Sequence, residues 1–124
     1  MSPRSEEFMA EARGRLAAAK TTLDSGFLAA AVSLGYYAML YAARAALSEE
    51  DRYAKTHSGT WQLFRETFVS TQRFGDELLA QAERTLPLRL GVDYDARPVE
   101  RKEAEAVVDL AARFLQAIDD LYPD

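Results

Sequence analysis

The chain has one histidine, His57, set in the polar stretch Lys55-Thr56-His57-Ser58-Gly59, and Arg52 stands five positions before it. An imidazole and a guanidinium together can cleave RNA without a metal. The imidazole takes or gives a proton near neutral pH, and the guanidinium stabilises the charged phosphate in the transition state. Thr56 or Ser58 is a good helix N-cap, which would put His57 at a helix N-terminus, where anions bind well. The plainer reading is that His57 bonds to a neighbouring helix or to the backbone and shapes the loop.

Two other groups of residues have types suited to binding. Ser33, Tyr37, Leu40 and Arg44 fall on one narrow stripe if Phe27 to Leu47 is helical. Polar groups on a buried helix need partners, so this stripe is either a network tying helices together or the floor of a pocket. Arg89 and Asp93 are four apart and pair if the helix carrying them continues through Gly91. That pair either fixes a helix end, with Tyr94 packed over the core, or leaves Arg89 facing a phosphate or carboxylate.

The elements that must position these residues all read as helices. Ser5, followed by Glu6 and Glu7, caps a first helix to about Asp24. The second, Phe27 to Leu47, is apolar nearly all round and therefore the most buried. A third begins near Thr56 or Ser58, with Trp61, Leu63, Phe64 and Phe68 as its apolar positions. A fourth runs from Asp76 towards Leu90 with Leu78, Leu79, Ala82 and Leu86 inward; Pro87 should kink or restart it, and Gly91 should stop it. Val92 to Arg97 reads as a connection. Pro98 opens a last helix to about Tyr122, with Val107, Leu110, Ala111, Phe114, Ile118 and Leu121 as its stripe. Tyr36, Tyr41, Trp61, Phe64 and Phe114 should be largely buried, within the protomer or between protomers. The expected fold is all-α, an antiparallel bundle of about five helices in a single domain covering residues 1–124.

Composition narrows the function classes. The 124 residues are 48% apolar, which suits one hydrophobic core and excludes global disorder. With no cysteine there is no disulfide, thiol nucleophile or thiolate metal site. With one histidine as well, no metal site and no cofactor are expected. The net charge of -5 opposes broad binding to nucleic acid, although Arg84, Arg89, Arg97, Arg101 and Lys102 cluster in one third of the chain. Ser25 to Ala43 carries no charge. Its alanines, tyrosines, Ser33 and Gly35 suit a helix buried among helices better than one in lipid. The acidic start of the chain lacks the apolar segment of a signal peptide. The expected setting is the cytoplasm, without a membrane.

Ser33-Leu-Gly-Tyr36-Tyr37-Ala-Met-Leu-Tyr-Ala-Ala-Arg44-Ala-Ala-Leu47, then Lys55-Thr-His57-Ser-Gly59, then Arg89 with Asp93-Tyr94-Asp95, resemble the HEPN domain family. The branch is the one with a double tyrosine, an AAR and a THSG element, and the likeness extends to a closing helix over Ala104 to Ile118. The resemblance implies a helical bundle that commonly forms homodimers, with a small nucleotidyltransferase as partner in a toxin–antitoxin-type pair. Many members are metal-independent ribonucleases with an arginine four to six residues ahead of a histidine; others bind nucleic acid or a partner. Arg52 and His57 have that spacing. However, Tyr53 follows Arg52 where catalytic members carry a polar residue, and the segment reads as a loop rather than a helix. Leu34 replaces an arginine frequent before the tyrosine pair, and Pro87 interrupts the fourth helix.

The reading preferred on these grounds is a dimeric HEPN binding module, partner of a nucleotidyltransferase or binder of a nucleotide or RNA. Its ligand-binding candidates are Tyr37, Arg44, Lys55, Arg89, Asp93 and Tyr94. The alternatives are a ribonuclease toxin with His57 and Arg52 as catalytic residues, and a purely structural helical adaptor.

Overall fold

The computed structural model describes residues 1–123. Five α-helices and one π-helical turn make up its regular structure, the α-helices being α1 (Pro3–Asp24), α2 (Leu28–Glu49), α3 (His57–Phe64), α4 (Asp76–Tyr94) and α5 (Arg101–Leu121). Among the described residues there is no strand, so the all-α expectation holds. No helix among them is long and apolar enough to cross a membrane.

The helix ends have local causes. α1 starts earlier than expected, because Ser2 rather than Ser5 is the cap; its hydroxyl accepts from the Ser5 amide, and Pro3 occupies the first turn. Gly26, at φ 84°, makes the turn into α2. Thr56 caps α3 by accepting from the Gly59 amide. α5 begins at Arg101 rather than at Pro98, because Glu100 and Glu103 form a reciprocal capping box.

The third helix does not end at Phe64. It passes into one π-helical turn, Arg65–Val69, in which the Ser70 amide reaches back to the Arg65 carbonyl at 2.9 Å. Phe64 and Phe68, four residues apart and both fully buried, face the same core with ring centroids 4.7 Å apart.

Hydrogen bonds at the helix ends set the directions. Ser2 and Ser5 at the start of α1 bond to Glu49 at the end of α2, so these two helices are antiparallel. Arg101 at the start of α5 reaches the Leu23 carbonyl, and Tyr122 just past its end bonds to Glu50. α5 therefore runs parallel to α2 and antiparallel to α1. α4 runs antiparallel to α2 and α5, since Arg89 meets Tyr37 and Asp93 meets Ser33.

α2 is the central element. Its Tyr36, Met39 and Leu40 are fully buried, and its many buried alanines let neighbours approach. Gly35 is the closest approach: a Cβ there would stand 2.9 Å from Val107 Cγ1 on α5. Trp61, Phe64, Phe74 and Phe114 form an aromatic cluster at the other end, with Phe74 and Phe114 centroids 5.1 Å apart. Tyr36, Trp61, Phe64 and Phe114 are buried as expected, while Tyr41 is half-buried within the protomer.

Candidate functional site

The double tyrosine of α2 divides its work. Successive helical residues point about 100° apart, and here Tyr36 faces inward to α3 while Tyr37 faces α4. The Tyr36 hydroxyl accepts from Trp61 Nε1 at 3.1 Å and lies 3.2 Å from His57 Nδ1. Both tyrosine rings pack on the imidazole, with centroids 5.6 and 5.8 Å away. His57, the first residue of α3, is thereby held half-buried against α2.

Arg89 approaches from α4. Only 8% exposed, it donates through Nη2 to the Tyr37 hydroxyl at 2.7 Å. Its Nε lies 2.9 Å from an Asp93 carboxylate oxygen but does not aim its hydrogen there, so the contact is an ion pair without a hydrogen bond. Burial opposes the Arg89 charge, yet Tyr37, Asp93 and Tyr94 outweigh it and raise its pKa. Asp93 is itself held by the Ser33 hydroxyl, at 2.6 and 2.8 Å to its two oxygens.

These contacts explain why α4 runs through Pro87 and Gly91 to Tyr94, where the sequence suggested a connection from Val92. Val92 is buried against α2 and α5, and Asp93 is pinned to α2. Tyr94 is 72% exposed, so of the two readings of this segment the one with Tyr94 packed over the core does not hold. It stands outside Arg89, whose guanidinium carbon is 5.5 Å from its ring centroid.

Arg44 completes the cluster from α2, one stripe position beyond Leu40. Its Nη2 makes a long contact of 3.4 Å to the Lys55 carbonyl, and its Nε is buried without a hydrogen-bond partner. Its guanidinium lies between the rings of Tyr41 and Tyr53, 6.0 and 5.9 Å from their centroids. Burial, then Arg44 and Arg89, lower the His57 pKa, so the imidazole is neutral at physiological pH.

The structure thus brings Tyr37, Arg44, His57, Arg89, Asp93 and Tyr94 into one region. Lys55 joins it only through its backbone carbonyl; its side chain is exposed. Arg52 turns elsewhere. Its Nη1 donates to Thr67 in the π turn at 3.1 Å, away from the cations that face His57. Sequence reasoning did not assign Tyr36, Trp61 or Arg15 to the site. Arg15 lies on α1, with its guanidinium 4.6 Å from the Tyr41 ring centroid. A groove of about 560 Å³ between α1 and α2, lined by Gly14, Arg15, Ser33, Leu34 and Tyr37, opens beside the cluster.

The family model for the HEPN domain matches residues 5–121 of this chain. The chain belongs to the HEPN domain family.

Two relatives match over most of this chain. The UPF0332 protein glr0978 of Gloeobacter violaceus is 32% identical over 118 residues, which is 94% of either chain. A Methanocaldococcus jannaschii protein named Putative toxin MJ0142 is 31% identical over 111 residues, 89% of this chain and 76% of its own. In this HEPN chain the THSG element has a local reason. Thr56 supplies the cap, His57 opens the helix towards Tyr36, and Gly59 leaves room for the capping hydroxyl. A Cβ at position 59 would stand 2.6 Å from Thr56 Oγ1.

Proposed function

We propose that this HEPN domain protein is a dimeric binding module. Its His57–Arg44–Arg89 cluster takes a phosphate-bearing ligand, a nucleotide or a nucleic-acid strand. It works beside a small nucleotidyltransferase in a toxin–antitoxin-type system. The observation that carries this reading is the disposition of the cations. Two guanidinium groups act on His57, that of Arg44 with a buried Nε lacking a hydrogen-bond partner and that of Arg89 ion-paired with Asp93, while Arg52 is engaged by Thr67. Guanidinium pairs suit phosphate oxygens, and exposed Tyr94 and Tyr53 (72% and 53%) offer ring faces beside them. The kinship with a relative named as a toxin supports the cellular setting.

A second reading is a metal-independent ribonuclease with His57 as its proton-transfer group and Arg52 as its cation. The neutral, half-buried imidazole favours it, and the Arg52–Thr67 bond weighs against it. Incubating RNA with the protein in EDTA, with binding and cleavage followed on native and denaturing gels, separates the two. A retained but intact strand supports the binding module. Cleavage that vanishes in His57→Ala makes the protein a nuclease.

A further inference from the structure

We infer that Trp61 and Tyr36 form a buried relay that fixes the His57 imidazole in its Nε2–H form, so that His57 meets a ligand as a neutral hydrogen-bond donor. This rests on the reading above that His57 belongs to the ligand site, and it goes further by naming two positioning residues and the chemistry they select.

The chain of donors has one consistent direction. An indole nitrogen can only donate, so Trp61 Nε1–H gives its hydrogen to the Tyr36 oxygen at 3.1 Å. Tyr36 is fully buried, and burial raises its pKa, so its hydroxyl keeps a hydrogen that must find an acceptor. Among the described residues, the acceptor in reach is His57 Nδ1, at 3.2 Å. With Nδ1 accepting, the imidazole hydrogen sits on Nε2. Protonating Nδ1 would turn that nitrogen into a donor and leave the Tyr36 hydrogen buried and unpaired. Arg44 and Arg89 face the same ring with fixed positive charge, and Tyr37 packs on its edge. Relay and cations thus act together against a second proton.

The consequence is that His57 presents a donor, Nε2–H, beside two guanidinium groups, while the Asp93 carboxylate is taken up by Ser33 and Arg89. Such a set recognises oxygens that carry negative charge and lone pairs, those of a phosphate monoester or phosphodiester. It does not serve a ligand hydroxyl that must hand a proton to His57.

Because His57 is the only histidine, long-range ¹⁵N–¹H correlation spectra of labelled, ligand-free protein report its two ring nitrogens without ambiguity. The wild type should show the protonated shift on the nitrogen coupled to both ring carbons' hydrogens, which is Nε2. In Tyr36→Phe the Nδ1–H population should rise several-fold. In Trp61→Phe, where Tyr36 is free to turn and accept, the His57 titration midpoint should move up. A wild-type ring protonated on Nδ1 would overturn the inference. So would an unchanged tautomer in Tyr36→Phe together with an unchanged midpoint in Trp61→Phe, both variants first being checked for retained helical signal. None of these spectra involves a ligand, so their outcome is separate from whether the site binds phosphate.

Discussion

Arg89 Nη2 donates to the Tyr37 hydroxyl at 2.7 Å, joining α4 to α2 through a guanidinium that is 8% exposed. The contact places a positive charge over an aromatic ring, 4.9 Å from its centroid, beside the imidazole of His57. It does structural work and builds the candidate site at once. Tyr37→Phe should therefore cost about 1–3 kcal/mol, because it leaves a buried charged donor without its acceptor. Urea denaturation measures this, and a loss near zero would mean that Arg89 does not rely on Tyr37.

His57 gives a dependence on pH whose sign is fixed. Its folded pKa is lowered by burial and by Arg44 and Arg89, whereas the unfolded imidazole titrates near 6.5. Between the two values the unfolded state binds more protons, so stability falls as pH drops through that window. Above pH 6.5 the contribution is fully present. Glu49, Glu50 and Glu103 are held low by hydrogen bonds from Ser2, Tyr122 and Arg97 respectively, and act at lower pH, below 4.5. Thermal melts of wild type and His57→Gln should converge as pH is lowered from 7 towards 5. Parallel curves would remove His57 from the account.

The α2–α5 contact at Gly35 can be tested by crowding it. Ala at a helical glycine normally stabilises by about 1 kcal/mol. Here the new methyl would meet Val107 Cγ1 at 2.9 Å, on a β-branched side chain with little freedom to yield. Gly35→Ala should destabilise by about 1–2 kcal/mol, and Val107→Ala added to it should recover part of that loss in a double-mutant cycle.

Phe114 sits fully buried in the aromatic cluster, with Trp61, Phe64 and Phe74 around it. Phe114→Ala should cost about 3–5 kcal/mol. A loss well under about 1 kcal/mol would show that α5 is misplaced.

The fold was legible because α2 and α5 carry strong, simple patterns. α2 is apolar all round, and Val107, Leu110, Ala111, Phe114 and Ile118 repeat at helical spacing and are buried. Helix ends were less legible where side chains decide them across the bundle. Gly91 and Pro98 look like punctuation, yet Asp93 bonding to Ser33 carries α4 onward, and the Glu100–Glu103 box sets the start of α5. The π turn at Arg65–Val69 has no sequence signal of its own. In the site, Tyr37 and Arg44 stood out as polar residues on a buried stripe, and Arg89 by its spacing to Asp93. The roles of Tyr36 and Trp61 did not, because an aromatic on an apolar face reads as packing until its hydroxyl or indole nitrogen is seen beside a partner twenty or more residues away. Arg52 shows the converse: spacing along the chain paired it with His57, and the fold gave it to Thr67.

The central claim is that Arg44 and His57 face a phosphate-bearing ligand. Calorimetric titration of a single-stranded oligoribonucleotide, and of AMP, into wild type and Arg44→Gln at one fixed salt concentration tests it most directly. Arg44 suits the test because its one hydrogen bond, to the Lys55 carbonyl, is long at 3.4 Å, so the variant should fold. The account predicts saturable binding of at least one ligand by the wild type, weakened about tenfold or more in the variant. Absence of binding by the wild type, or equal affinity in the two proteins, would contradict it.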